Sequence, residues 1–190
     1  MQVTPHVYAT HIDDSAVSHP GGSNNFFVGD PTEGMVIVDT GEQDREWRGQ
    51  LLKAYEELGR PTITAIVITH GHQDHIGGLD RIFEAVQAPV RCHPKLVKRL
   101  ADIVGEDSVV KLRAGELIRT GGGVSLRAIF TPGHERDHIC YYLARDRVMF
   151  TGDTVLGASS STVHDLGDYM KSLQKLARHR VEVICPAHGP

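Results

Sequence analysis

The sequence predicts an α/β fold: two mixed β-sheets packed face to face with helices outside, a four-layer αββα sandwich. Three observations predict it. Short β-branched runs alternate with amphipathic helical patterns, and this strands-then-helices order occurs twice in outline. The strand runs are apolar on both faces in several places, as buried strands are. Several of them end in loops that place a His or Asp beside a glycine, where the backbone can turn sharply.

The elements follow in order. Residues 2–12, with Val3, Val7, Tyr8 and Ile12, read as an edge strand interrupted by Pro5. Residues 18–25 read as a loop from their turn residues. Residues 26–28 and 35–38 are two strands joined by a turn over 30–34. A helix begins at Asp44, its apolar positions Trp47, Leu51, Tyr55 and Leu58 spaced at helical intervals, and Gly59 and Pro61 stop it. Residues 63–68 are a buried strand. Leu79, Ile82, Phe83 and Val86 mark a second helix, 89–92 a short strand and 95–104 a third helix. In the second half, strands at 116–119 and 124–130 flank the glycines at 121–123. Strands at 138–144 and 147–150 form a hairpin around Arg145 and Asp146. A last helix starts at Asp165, with Leu166, Tyr169, Met170, Leu173 and Leu176 or Ala177 on one face, and a strand at 181–184 closes the order.

Composition sets outer bounds. At 190 residues the chain is expected to form one domain, 1–190, with room for a sizeable core. Charged residues at 23% and a net charge of -4 argue against a disordered chain and against wholesale attraction to nucleic acid. No apolar run reaches the roughly 20 residues that span a bilayer. The N-terminus lacks a basic start and an apolar core, so no secretion signal is expected. Cys92, Cys140 and Cys185 are scattered and odd in number, which suits reduced thiols and a cytoplasmic location.

The chemistry centres on residues 69–75, Thr-His-Gly-His-Gln-Asp-His. Imidazole and carboxylate are the ligand types of zinc, and also of iron and manganese. The loop follows the strand at 63–68. On an extended backbone His70, His72 and Asp74 share one side, while His75 breaks the pattern towards a second metal. Three further loops follow predicted strands and carry His134, Asp153 and His188. Singly each suits an ordinary turn; together with residues 70–75 they supply seven ligand-type residues at strand ends.

This set resembles the metallo-beta-lactamase superfamily of hydrolases, over nearly the whole chain. The resemblance implies that His70, His72 and His134 hold one metal and that Asp74, His75 and His188 hold a second. Asp153 would bridge the two, and two zinc ions are the expected cofactors, with iron or manganese as alternatives. It implies that Asp39 supports a ligand histidine from behind, and that Asp74 and Asp153 orient the attacking water and relay its proton. His138 is read as a candidate leaving-group contact and Asn24 as a candidate substrate contact. Residues 152–157, the following Ser/Thr run, residues 165–173 and Gly22-Ser23-Asn24 resemble the lactamase-beta-2-like group. Residues 131–134 and 138–141 resemble glyoxalase II, whose glycine-rich segment and C-terminal glutathione-binding part have no counterpart here. The first group implies a single-strand-specific endoribonuclease or a carrier-protein thioesterase; the second implies a thioester hydrolase. Iron-containing relatives imply persulfide oxidation. For the RNA reading, Lys95, Lys98 and Arg99 would share a helix face, with Arg91, Lys111 and Arg113 nearby. The expected substrate is a small ester or thioester, or single-stranded RNA, with no membrane partner. Relatives usually continue beyond the position of Pro190, so the expectation is either a fragment or a chain lacking a C-terminal extension whose second metal, held by His188 near a chain end, is weaker than in the relatives.

Overall fold

A computed structural model describes residues 1–13 and 21–190, with the side chains of 45–48 excepted. The predicted loop at 18–20 and the side chain of Trp47 lie outside the described residues. A seven-stranded sheet runs in sequence order: β1 (Gln2–Thr4), β2 (Val7–Ile12), β3 (Ser23–Asp30), β4 (Gly34–Val38), β5 (Ile63–Val67), β6 (Val90–Cys92) and β7 (Val109–Lys111). The first four pair antiparallel and the last four parallel. The second sheet has the order β12-β11-β10-β9-β8, from β8 (Leu117–Arg119), β9 (Ser125–Phe130), β10 (Ile139–Leu143), β11 (Val148–Gly152) and β12 (Val183–Pro186). Its one parallel pair is β11 with β12.

Parallel neighbours need a crossover, and helices supply them. Helix α1 (Arg45–Glu57) joins β4 to β5, α2 (Gln73–Ile76) and α3 (Leu79–Val86) join β5 to β6, α4 (Val97–Val104) leads to β7, and α5 (Leu166–Leu176) joins β11 to β12. Alternation along the strands then fills three apolar layers. Phe26, Val36, Val38, Val67, Leu126, Tyr141 and Phe150 meet between the sheets. Phe27, Ile37, Ile66, Leu51, Leu79, Ile82 and Leu100 pack sheet one against its helices. Ile129, Cys140, Tyr142, Met149 and Leu176 lie on the outer side of sheet two. Phe26 and Phe150 meet edge to face at 5.2 Å across the inner layer, fixing how the sheets sit. This is the expected four-layer sandwich.

Some elements differ from expectation. β3 starts at Ser23, because Ser23, Asn24 and Asn25 pair with Ile12, His11 and Thr10 and the ladder overrides their turn preference. β7 was not expected; three residues carry too little pattern. On α5 Leu176 is buried as expected, whereas Leu166 and Met170 are 68% and 48% exposed. Ser172 and Leu176 are the buried positions, with Ser172 donating to the Pro132 carbonyl at 2.7 Å. Among the described residues no helix is long and apolar enough to cross a membrane.

Candidate metal centre

Strands β4, β5, β9, β11 and β12 share a direction, so their C-terminal ends meet on one rim. Asp39 follows β4, His70 and His72 follow β5, His134 follows β9, Asp153 follows β11 and His188 follows β12. Asp74 and His75 sit on the single turn α2, with His72 as its extended N-cap. The backbone therefore stays extended through His72 and turns as a helix only from Gln73, which swings Asp74 and His75 together.

The seven residues gather as two groups that share Asp153: His70, His72, His134 and Asp153, and Asp74, His75, His188 and Asp153. Within each group the donor atoms lie within 4.8 Å of one another. Hydrogen bonds fix which ring nitrogens face inward. His134 Nδ1 donates to the Thr162 carbonyl at 2.7 Å, and His72 Nε2 donates to Glu135 Oε1 at 3.0 Å. Carbonyl and carboxylate only accept, so His134 Nε2 and His72 Nδ1 point bare lone pairs at each other, 3.3 Å apart. Thr69 Oγ1 donates to Asp39 Oδ2 at 2.7 Å and so accepts from His70 Nδ1 at 3.2 Å. His70 Nε2 then also faces His134 Nε2 bare, at 3.3 Å. Lone pairs so placed attract a cation. Two nitrogens bound tetrahedrally at about 2.0–2.1 Å would stand about 3.3–3.4 Å apart, which matches.

In the second group His75 Nδ1 donates to Asp39 Oδ2 at 2.7 Å, leaving Nε2 to face Asp153 Oδ1 at 3.3 Å and Asp74 Oδ2 at 3.5 Å. Both His75 Nε2 and Asp153 Oδ1 are buried without a hydrogen bond among the described residues. His188 Nε2 lies 3.1 Å from Asp74 Oδ2 and 3.5 Å from Asp153 Oδ1. These donors fit a divalent cation in each group.

Electrostatics agree. Burial would raise the pKa of Asp74 and of Asp153, but their histidine neighbours outweigh it and hold both carboxyls well below the usual range. Burial pushes His70 and His134 down, neighbouring rings adding to this for His70. Burial also opposes the charged form of His75, yet Asp153 and Asp39 outweigh it and raise it well above the usual value.

The supporting residues divide between expected and unforeseen. Asp39 lies behind His75, and its second oxygen accepts from Thr69 N at 2.7 Å. Its φ of 58° is a conformation Asp tolerates better than most residues. Glu135, Thr162, Thr69 and Ser23 were not foreseen; Thr69, next to His70, carried the best local signal. Ser23 Oγ lies 3.2 Å from His188 Nδ1.

Two expected contacts face inward. His138 is fully buried: Nδ1 meets Thr131 Oγ1 at 2.9 Å and Nε2 accepts from Asp153 N at 3.1 Å. Burial pushes its pKa down to about 3, so it is a neutral strut beneath Asp153, with no reach to a leaving group. Asn24 donates to the carbonyls of Pro186 at 3.1 Å and Gly189 at 2.7 Å, and meets His11 through its oxygen, so its amide is spent within the fold. These bonds, with Asn24 N to Ala187 O at 2.7 Å, bind the His188 segment to β3 in place of the loose hold expected. The basic run is also partly committed: Arg99 donates to the Gly71 carbonyl at 2.5 Å and Arg91 pairs with Glu116 at 3.1 Å.

Comparison with known proteins extends this picture. A family model described as the metallo-beta-lactamase superfamily matches residues 19–188. The lactamase-like protein adaB of Aspergillus niger is 34% identical over 168 residues, covering 88% of this chain and 50% of that protein. An atrochrysone carboxyl ACP thioesterase of Pseudocercospora fijiensis is 32% identical over 188 residues, covering 99% of this chain and 54% of that protein. The chain thus spans about half the length of the curated relatives it matches. A solved metallo-beta-lactamase family protein from Thermus thermophilus superposes with a TM-score of 0.77 at 26% identity, covering 98% of this chain and 74% of that one. With the family pattern running from before β3 to His188, this chain belongs to the metallo-beta-lactamase superfamily.

Proposed function

We propose that residues 1–190 form one catalytic unit, a metal-dependent hydrolase that holds two zinc ions and cleaves thioesters. The observation that carries it is the facing of bare imidazole lone pairs in the first group, completed by the carboxylate shared with the second. In this reading His70, His72 and His134 hold one ion, Asp74, His75 and His188 the other, and Asp153 contributes an oxygen to each. When bound, such a pair supplies a water acidified towards about pH 7 and positive charge for the developing oxyanion. The chain does the rest. Asp74 and Asp153, ionised at neutral pH, orient the attacking water and take its proton. Asp39, Thr69, Thr162 and Glu135 fix the orientation of the histidines and which ring nitrogen faces inward.

The thioester assignment rests on relatives named as carrier-protein thioesterases. The RNA reading is the weaker, since Arg99 and Arg91 are engaged within the fold. Three buried free thiols suit a reducing compartment, and we place the protein in the cytoplasm. The test is to purify the chain, determine its metals, and assay acyl thioesters and a fluorescent single-stranded RNA in parallel, with Asp74→Ala as control. Two zinc ions and thioester turnover that the substitution abolishes are expected. RNA cleavage with inert thioesters would overturn the substrate, and iron without hydrolysis would overturn the reaction.

A further inference from the structure

Four of the five histidines in the two groups are walled in by the fold. The side chains of His70, His75, His134 and His188 are 0%, 2%, 4% and 4% exposed. His72 is different, at 40%. Packing holds it least, so its aim depends on directional contacts. Its outer nitrogen has one such contact among the described residues, the 3.0 Å bond to Glu135 Oε1. The same oxygen lies 3.2 Å from His164 Nδ1, within ion-pair distance. His164 ends the stretch between β11 and α5, and its backbone N donates to Gly133 O at 2.8 Å. The neighbouring Thr162 carbonyl receives His134 Nδ1.

We infer that Glu135 is the positioning residue of His72. Its carboxylate selects the tautomer that turns Nδ1 inward, and through His164 it joins that choice to the 161–164 stretch. One oxygen has two lone pairs, so it can serve both rings. A carboxylate behind an imidazole raises ligand basicity, and losing such a partner commonly costs about 10- to 100-fold in metal affinity. Coupling of this kind is reciprocal: metal held by His72 steadies residues 161–164, and their docking favours the metal.

This inference rests on the ligand reading of His72 given above, and the experiment separates the two. Zinc affinity of the full chain is measured by chelator competition, with cobalt(II) spectra reporting each site, for wild type, Glu135→Ala, Glu135→Gln, His164→Ala and His72→Ala. Glu135→Ala should lose about 10- to 100-fold in the affinity of one ion and leave the other nearly unchanged. Glu135→Gln, whose amide oxygen still accepts from His72, should recover most of that loss. His164→Ala should keep zinc affinity within a few-fold while amide exchange at 161–164 quickens. Wild-type affinity for both ions in Glu135→Ala, or a loss in Glu135→Gln as large as in Glu135→Ala, would overturn the inference. Wild-type affinity in His72→Ala would instead overturn the ligand reading itself.

Discussion

The two donor groups use the same chemistry and stand on different supports. The second group is backed by the sheet. Asp39, at the end of β4, holds His75, and Ser23, at the start of β3, faces His188. Both supports are buried. The first group leans partly on loops: His134 on the Thr162 carbonyl and His72 on the partly exposed Glu135. Sheet support fixes geometry through many cooperative backbone bonds. Loop support rests on a few directional contacts, such as the Thr162 carbonyl and Glu135.

This contrast can be broken outright at the shared residue. Asp153→Ala should release both ions together and lower turnover by more than about a thousandfold, the several kcal/mol that metal assistance supplies. Metal analysis beside kinetics checks it; retention of one tightly held ion would show that the groups stand independently. The next effect is on the sheet side. Asp39→Asn keeps one accepting oxygen where Thr69 and His75 need two, and should weaken one ion by about 10- to 100-fold. Cobalt(II) spectra should assign that loss to the site Glu135→Ala leaves intact.

Smaller changes sharpen the contrast. Asn24→Ala removes two donated hydrogen bonds that tie β3 to the His188 segment, and should lower stability by about 1–2 kcal/mol, read by denaturant unfolding. The last concerns the strut under Asp153, whose effect appears only as the pH falls. Folded His138 has its pKa pushed down to about 3, whereas the unfolded chain protonates it near the usual value of about 6.5. The unfolded state therefore binds more protons between those values. The stabilisation is complete above about pH 6.5 and is lost as pH falls towards 3, by about 1.4 kcal/mol per pH unit. Metal-free wild type should show this slope beyond that of His138→Gln; equal slopes would mean His138 is not held neutral.

How much of this was legible in the sequence depends on the kind of contact. The seven donors could be gathered because four of them cluster within residues 70–75 just after a β-branched run and the other three each sit beside a glycine at the end of a strand, a local signal. Asp39 was legible only through resemblance, since a carboxylate at a strand end looks like any turn residue. Glu135 and Thr162 were not legible, because their roles arise where separate loops meet. Asn24 and His138 looked like substrate contacts for the converse reason. Their polar groups point into the fold, where Pro186, Gly189, Thr131 and the Asp153 amide claim them. The fold class followed from alternating strand and helix patterns, while β7, with three residues, carried too short a pattern to be read.

The tie between Ser23, Asn24 and the 186–189 segment has a consequence for biogenesis. A chain emerging from the ribosome exposes six of the seven donors once Asp153 is out, yet the second group is completed only by His188. That histidine is fixed against the strand beginning at Ser23, which is made long before it. An ion that needs His188 would therefore be acquired late, after β3 and β12 have met. In the two-ion reading proposed above, capture of that ion would mark the closing of this seam.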